Sequence, residues 1–357
     1  MKLALVFATT ISCALSANAV AETRLPHHTG GRIETSAQQA GEAHQWPGIY
    51  FETATNGRSV TLKFDDKINI YKLYLNGQLF RVIVRPGRAN FRFDHEGNDH
   101  GDRYRLEKIT ESQSDTGKFL GFFSNASDDA IPPPARARQI EFIGDSFTVG
   151  YGNTSPKREC TTDEVWATTD TSQAFGPLTA KAYNADYQIN AFSGRGVVRN
   201  YDGIKGDTLP VLHNYTLFDG KTEYKAENWQ PQIIVIGLGT NDFSTALKPD
   251  EKWKTREDLR TDYRNTYVTF VKTLRAKNPK AQFILMASDQ SGGEIRDQVL
   301  QVEKTLKSQG ETQVDTIIFT GLDYAGCHAH PSVADDVILK GLLTDYIDAR
   351  PALWQSR

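Results

Sequence analysis

Apolar and polar positions alternate in short runs over much of the first half of the chain. Residues 60–64 place every second side chain on an apolar face, which is typical of a strand with one buried and one solvated side. The runs 73–75 and 79–82 flank Asn76-Gly77, a dipeptide that suits the positive backbone dihedrals of a tight hairpin. Further strands are predicted at 90–93, 103–109 and 118–123. The pattern predicts a small, jelly-roll-like β-sandwich over residues 45–130.

The pattern changes after a proline-rich stretch, residues 131–138, which we interpret as a linker because proline cannot join a sheet interior. Beyond it, apolar runs predict buried strands, and helical periodicity separates them. The predicted strands are 139–143, 186–192, 233–238 and 283–286, and the predicted helices lie around 259–274 and 333–347. Alternating strands and helices predict a flavodoxin-like α/β domain over residues 139–357, with a parallel sheet covered on both faces.

The first residues have the pattern of an export signal. Lys2 precedes an apolar run that is too short to span a bilayer, and Ala17-Asn18-Ala19 suits signal peptidase. We predict a signal peptide over residues 1–19, or to Ala21 in a second frame, and a secreted or periplasmic protein without a membrane anchor. A lipoprotein would need Cys13 in a lipidation motif, and the residues before it lack the usual leucine.

Composition excludes several kinds of partner. A net charge of -3 with 24% charged residues lacks the basic excess that nucleic-acid binding needs. The histidines at 95 and 100 lack a tight zinc spacing, and the glycines at 194, 196 and 203 do not follow the dinucleotide pattern. We therefore expect neither a metal nor a cofactor. A monomer is expected as well.

Polar or glycine-rich turns follow several of the predicted parallel strands. Gly144-Asp145-Ser146 follows the first strand, Ser193-Gly194-Arg195-Gly196 the second, and Gly239-Thr240-Asn241-Asp242 the third, while His330 precedes the last helix. Ligands bind at the carboxyl ends of the strands in open α/β sheets. The sequence therefore predicts that these groups converge on one rim.

These groups match the needs of acyl transfer. A serine hydroxyl requires a base to take its proton, and histidine has a suitable pKa. His330 is the candidate base for Ser146. The negative oxygen that forms on the acyl carbon needs donors, which the backbone N–H groups of Ser146 and Gly194 and the amide of Asn241 can supply.

The same blocks, in the same order, resemble the conserved blocks of SGNH (GDSL) hydrolases. The run 140–152, the Ser193–Gly196 turn, the 327–332 segment and the upstream β-sandwich are similar to carbohydrate esterase family 2. That resemblance implies removal of acetyl groups from plant cell-wall polysaccharides such as xylan and glucomannan. It implies Ser146 as nucleophile, His330 as base, and an oxyanion hole from Ser146, Gly194 and Asn241, with Gly196 a weaker substitute for Gly194.

The resemblance fails at the third member of the catalytic triad. SGNH enzymes carry an aspartate three residues before the histidine, or two before it in some family 2 members, and these positions are Cys327 and His328 here. We expect a Ser–His dyad whose imidazole is held by a backbone carbonyl. Asp323 and Asp289 remain remote alternatives for a carboxylate from elsewhere.

Several assignments stay open at the level of sequence. Cys160 and Cys327 form a disulfide or remain two buried thiols. Asp145 and Asp242 are expected to anchor loops. Trp166, Trp229 and Trp253 fall in loops or near loop edges. Trp253 or Tyr151 either lines the acceptor site or belongs to the core or an interface.

The alternative functions are a lipase or thioesterase of the same fold and a polysaccharide-binding protein without turnover. The β-sandwich is expected to pack against the hydrolase domain and help to shape its cleft.

Overall fold

The protein is described by a computed structural model over residues 21–36, 39–95, 101–125, 128–131, 133, 136–226 and 228–355. The predicted signal peptide over residues 1–19, with Cys13, lies outside the described residues, as do His100 and most of the prolines of the predicted linker.

The N-terminal domain consists of two antiparallel sheets, each six-stranded over the described residues. Its strands are β1 (Glu22–Arg24), β2 (His28–Gly30), β3 (Glu34–Ser36), β4 (Gln39–His44), β5 (Tyr50–Thr55), β6 (Ser59–Asp66), β7 (Ile70–Leu75), β8 (Gln78–Val84), β9 (Gly87–Asp94), β10 (Asp102–Lys108), β11 (Gly117–Asn125) and β12 (Ala130–Ile131). One sheet has the order β3-β4-β11-β6-β9, with β1 paired to β11. The other has the order β12-β5-β10-β7-β8, with β2 paired to β5.

Aromatic side chains fill the space between the two sheets. The rings of Phe51 on β5 and Phe119 on β11 lie 4.5 Å apart, and those of Phe64 on β6 and Tyr71 on β7 lie 5.2 Å apart. Each of these residues is fully buried. The alternation that predicted the strands thus supplies the core of the sandwich.

The strands that precede position 45 are elements that the sequence pattern did not predict. β1 is exposed along its whole length and pairs with β11, while β2 pairs with β5. β1, β2 and β3 have three residues each, too few to show a recognisable alternation. β1 and β4 both pair with β11, far along the chain.

The C-terminal domain has a parallel sheet in the order β14-β13-β15-β16-β17, the flavodoxin-like order. The strands are β13 (Gln139–Gly144), β14 (Asp186–Ala191), β15 (Ile233–Gly237), β16 (Gln282–Ser288) and β17 (Val314–Phe319). The helices are α1 (Ser146–Val149), α2 (Thr162–Thr168), α3 (Phe175–Ala182), α4 (Leu209–Leu212), α5 (Thr240–Phe243), α6 (Arg256–Lys277), α7 (Glu294–Ser308) and α8 (Val333–Asp348). The predicted fold class is confirmed.

The two domains pack directly against each other. Arg32 of the N-terminal domain is almost fully buried. It donates a hydrogen bond from Nη2 to Glu141 of β13 at 3.2 Å and another from Nη1 to the carbonyl of His213 at 2.5 Å. In the segment predicted as a linker, Arg136 donates to Glu52 at 2.6 Å and to Asp186 at 3.0 Å. Paired charges at this interface fix the orientation of the sandwich relative to the parallel sheet.

None of the helices in the described part of the chain combines the length and apolarity that crossing a bilayer requires.

Candidate active site

Ser146 begins the short helix α1 just after the end of strand β13, with Asp145 between them. Asp145 is the N-cap of α1, and its Oδ1 accepts a hydrogen bond from the backbone N–H of Phe147 at 3.1 Å. Gly150 ends the helix in the left-handed conformation with a φ of 77°, which a side chain would disfavour. The serine is therefore held at the carboxyl edge of the sheet, with only 5% of its surface exposed.

The imidazole of His330 lies against this serine. Its Nε2 is 2.8 Å from Ser146 Oγ although 184 residues separate the two in the chain. On the other side of the ring, Nδ1 lies 2.9 Å from the carbonyl oxygen of Cys327. A carbonyl oxygen can only accept, so Nδ1 carries the hydrogen and Nε2 is left to accept from the hydroxyl.

The surroundings of His330 favour its neutral form. Burial lowers its pKa to about 4, and the nearby His328 acts in the same direction, whereas hydrogen bonds to backbone carbonyls oppose them. The ring of Tyr151 lies 4.4 Å from the imidazole at an angle of 33°. At neutral pH the histidine is therefore a free base in contact with the serine hydroxyl.

Neither remote carboxylate bonds this histidine in the described part of the chain. Asp323 Oδ1 accepts from the N–H of Ala325 at 2.8 Å and from the hydroxyl of Ser332 at 3.1 Å. Its role is to shape the turn before α8. The carbonyl of Cys327 stands where a triad would place its carboxylate.

A disulfide joins Cys160 to Cys327, with the Cα atoms 5.6 Å apart. The N–H of Cys327 also donates to the carbonyl of Gly152 at 3.2 Å. Next to the bridge, His328 has its Nε2 2.8 Å from the carbonyl oxygen of Cys160 and its Nδ1 3.1 Å from the hydroxyl of Tyr151. The carbonyl that holds the His330 imidazole is thus itself tied to the loop around Cys160.

Replacing Cys160 and Cys327 together by serine is expected to lower both stability and turnover. The bridge closes a long loop, and losing such a bond typically costs about 2–5 kcal/mol. The segment that carries the Cys327 carbonyl also loses one of its ties to the rest of the domain, and the resulting misorientation of the imidazole is expected to lower kcat by about tenfold or more. Thermal unfolding and ester hydrolysis measure the two effects, and unchanged kcat in a folded variant would contradict the orienting role.

Gly194 lies in a turn beside the serine. The N–H of Arg195 donates to the carbonyl of Phe192 at 3.2 Å, and Gly194 has a φ of 84°, as a type II turn requires at its third position. A methyl group at Gly194 would meet nothing within 4 Å, so the turn opens towards free space. The N–H of Gly196, in contrast, donates to Asn200 Oδ1 at 3.3 Å.

Asn241 is held at the same rim by two acceptors. Its Nδ2 donates to Asp145 Oδ2 at 3.2 Å and to the carbonyl of Arg195 at 2.9 Å. This pair of bonds fixes the amide beside both the serine helix and the Gly194 turn. To donate to an acyl oxygen, this amide would have to share or give up one of its two present acceptors.

The two aspartates of the site have the anchoring role that the sequence suggested. Asp242 accepts from the backbone N–H groups of Val197, Val198 and Arg199 at 2.9–3.0 Å. Burial raises the pKa of Asp242 to about 6 and that of Asp145 to about 7. Both carboxyl groups face backbone and amide donors rather than His330.

Among the aromatic candidates, Tyr151 lies in the site. Trp166 donates to the carbonyl of Ile68 at 2.8 Å, and Trp253 donates to Asp262 at 2.9 Å. Trp229 donates to Glu141 at 3.4 Å. These tryptophans are thus bonded within the scaffold, whereas the Tyr151 ring lies against the imidazole at a tilt.

Comparison with known proteins agrees with this geometry. Residues 29–134 match the family described as "Carbohydrate esterase 2 N-terminal", and residues 142–332 match the "GDSL-like Lipase/Acylhydrolase family". The chain is 53% identical to an "Acetylxylan esterase / glucomannan deacetylase" of Cellvibrio japonicus over 92% of each protein. The chain belongs to carbohydrate esterase family 2. It is a carboxylic ester hydrolase with the predicted GDSL-type fold.

Solved structures of other carbohydrate esterases have the same fold. One, described as "The active site of a carbohydrate esterase displays divergent catalytic and non-catalytic binding functions", is 52% identical, with a TM-score of 0.89 over 93% of this chain and 100% of that one. A family two carbohydrate esterase from Clostridium thermocellum in complex with cellohexaose is 24% identical, with a TM-score of 0.81 over 92% of this chain and 100% of that one.

Proposed function

We propose that this carbohydrate esterase removes acetyl groups from plant cell-wall polysaccharides such as xylan and glucomannan. The observation that carries the proposal is the 2.8 Å contact between Ser146 Oγ and His330 Nε2. The name of the Cellvibrio relative, an acetylxylan esterase and glucomannan deacetylase, supports the choice of acyl group and polymer.

The proposed reaction uses a Ser–His dyad. Ser146 Oγ attacks the acetyl carbonyl carbon while His330 Nε2 takes the hydroxyl proton. The tetrahedral intermediate then expels the sugar oxygen, which receives that proton from Nε2. A water molecule then attacks the carbonyl carbon of the acetyl-serine while His330 Nε2 takes a proton from it. The second tetrahedral intermediate expels Ser146 Oγ, which receives that proton from Nε2, and acetic acid leaves and ionises to acetate. The bond from Nδ1 to the Cys327 carbonyl steadies the imidazolium that forms in both steps.

The proposed oxyanion hole has three donors, the N–H groups of Ser146 and Gly194 and the amide of Asn241. The bond from Asn241 Nδ2 to the carbonyl of Arg195, the residue after Gly194 in the turn, supports the choice of Gly194. Gly196 is the weaker alternative because its N–H already donates to Asn200. The Tyr151 ring, which lies against the imidazole, is proposed to contact the sugar or its acetyl group at the rim.

We propose further that the protein is exported as a monomer after removal of residues 1–19, and that it divides into a β-sandwich over 45–130, a linker over 131–138 and a hydrolase domain over 139–357. A substrate polymer too large to enter a cell supports export. The β-rich unit of the structure starts earlier than the proposed sandwich, since β1 begins at Glu22.

Acetate release from a panel of acetylated xylan, acetylated glucomannan and simple sugar acetates tests the function. The unchanged protein is expected to release acetate from the polymers and from a chromogenic acetate ester, with rates that fall steeply as the acyl chain lengthens. A preference for long acyl chains would instead support a lipase or thioesterase. Binding to the polymers without acetate release would support a non-catalytic role.

A further inference from the structure

A loop of the N-terminal domain reaches the turn that carries Gly194. This loop follows β10 and contains Glu111 and Gln113. Glu111 Oε1 accepts a hydrogen bond from the N–H of Ser193 at 2.8 Å, and Gln113 Nε2 donates to the carbonyl of Ser193 at 3.3 Å. Gln113 Nε2 is also 3.3 Å from Glu111 Oε1. Both backbone polar groups of Ser193 are therefore held by side chains of the other domain.

The second of these bonds acts on the peptide unit that contains the proposed oxyanion donor. The carbonyl of Ser193 and the N–H of Gly194 belong to one planar, trans peptide, so fixing the direction of the carbonyl fixes that of the N–H. This peptide is the central one of the turn from Phe192 to Arg195. Turns of types I and II differ mainly in the direction in which this peptide points.

The loop itself is firmly anchored in the N-terminal domain. The hydroxyl groups of Thr110 and Ser112 both donate to Asn69 Oδ1, at 3.0 and 2.7 Å. Asn69 is fully buried, and its own Nδ2 donates to Asp66 at 2.6 Å. Glu111 and Gln113 thus extend from a rigid support rather than from a free loop, which is what positioning of a catalytic donor requires.

We propose that Glu111 and Gln113 are positioning residues that hold the Ser193–Gly194 peptide in the orientation that aims the Gly194 N–H at the acyl oxygen. The proposal rests on the proposed function and assigns part of the reaction to the N-terminal domain. Neither side chain needs to touch the substrate. They act by fixing the orientation of the peptide plane. Their loss should therefore weaken the stabilisation of the negative charge that develops on the acyl oxygen.

Three single substitutions, with a fourth as control, test this role by steady-state hydrolysis of a chromogenic acetate ester. Glu111→Ala and Gln113→Glu each remove one bond to Ser193, and each is expected to lower kcat by about 10- to 100-fold, the loss that a small misplacement causes. KM should change little, because the oxyanion forms only after binding. Glu111→Gln retains an acceptor oxygen and should keep kcat within about threefold of the unchanged protein.

Glu107→Gln is the matched control. Glu107 also lies in the N-terminal domain and also bonds the C-terminal domain, through Lys181 at 2.8 Å, but it does not contact the turn. Its kcat should stay unchanged even if the temperature of unfolding falls. The proposal is overturned if Glu111→Ala and Gln113→Glu keep full kcat, or if Glu107→Gln loses as much. Failure of the unchanged protein to release acetate would instead overturn the proposed function.

Discussion

Replacing Ser146 by alanine is expected to lower kcat for a chromogenic acetate ester by roughly 10⁶-fold, as for other serine hydrolases that lose their nucleophile. His330→Ala should have an effect of similar size, since the hydroxyl and the imidazole, 2.8 Å apart, act as one unit. The double variant should be no worse than either single one. Acetate release by each purified variant measures the loss, and the temperature of unfolding checks that each has folded.

A further variant decides whether the dyad is complete without a carboxylate. Asp323→Asn removes the charge of one of the two carboxylates that the sequence offered as a third member, and the bonds of Asp323 to Ala325 and Ser332 indicate a structural role. Its kcat should fall by far less than the roughly 10⁴-fold loss seen when a true triad aspartate is replaced. A loss as severe as that of Ser146→Ala would overturn the dyad and restore a triad.

The site was largely predictable because strand ends in a parallel sheet share an edge. Buried apolar runs identified β13 and β15, and the polar residues after them, Ser146 and Asn241, therefore had to meet. The turn after β14 brought Gly194 to the same edge. His330 was harder to place, since it follows no strand directly, and its position before the last helix together with the serine's need for a base made it the candidate.

The remaining features depend on contacts that leave no pattern in the sequence. No residue type indicates that the carbonyl of Cys327 accepts from His330, because every residue has a carbonyl and only the turn geometry directs this one. Glu111 and Gln113 belong to an irregular loop with no periodicity. Their approach to Ser193 depends on how the two domains pack, which paired charges such as Arg32 with Glu141 determine.

Substitution of Asn241 by alanine is expected to lower kcat by about 10²–10³-fold with little change in KM, the effect of losing one oxyanion donor. The amide is held beside the serine by Asp145 Oδ2 and the Arg195 carbonyl. Its hydrogen bond gains strength only as the acyl oxygen becomes negative, so the loss appears in the chemical step. Steady-state kinetics on acetate esters separates kcat from KM.

Ser244→Ala is the matched control for Asn241→Ala, because Ser244 is the exposed residue that ends the same short helix, α5. That variant should keep both kinetic constants. If Asn241→Ala raised KM and left kcat unchanged, the amide would bind the ground state of the substrate and the hole would consist of backbone donors alone. The Ser193–Gly194 peptide would then provide the greater part of the stabilisation, and Glu111→Ala should cost more activity than Asn241→Ala does.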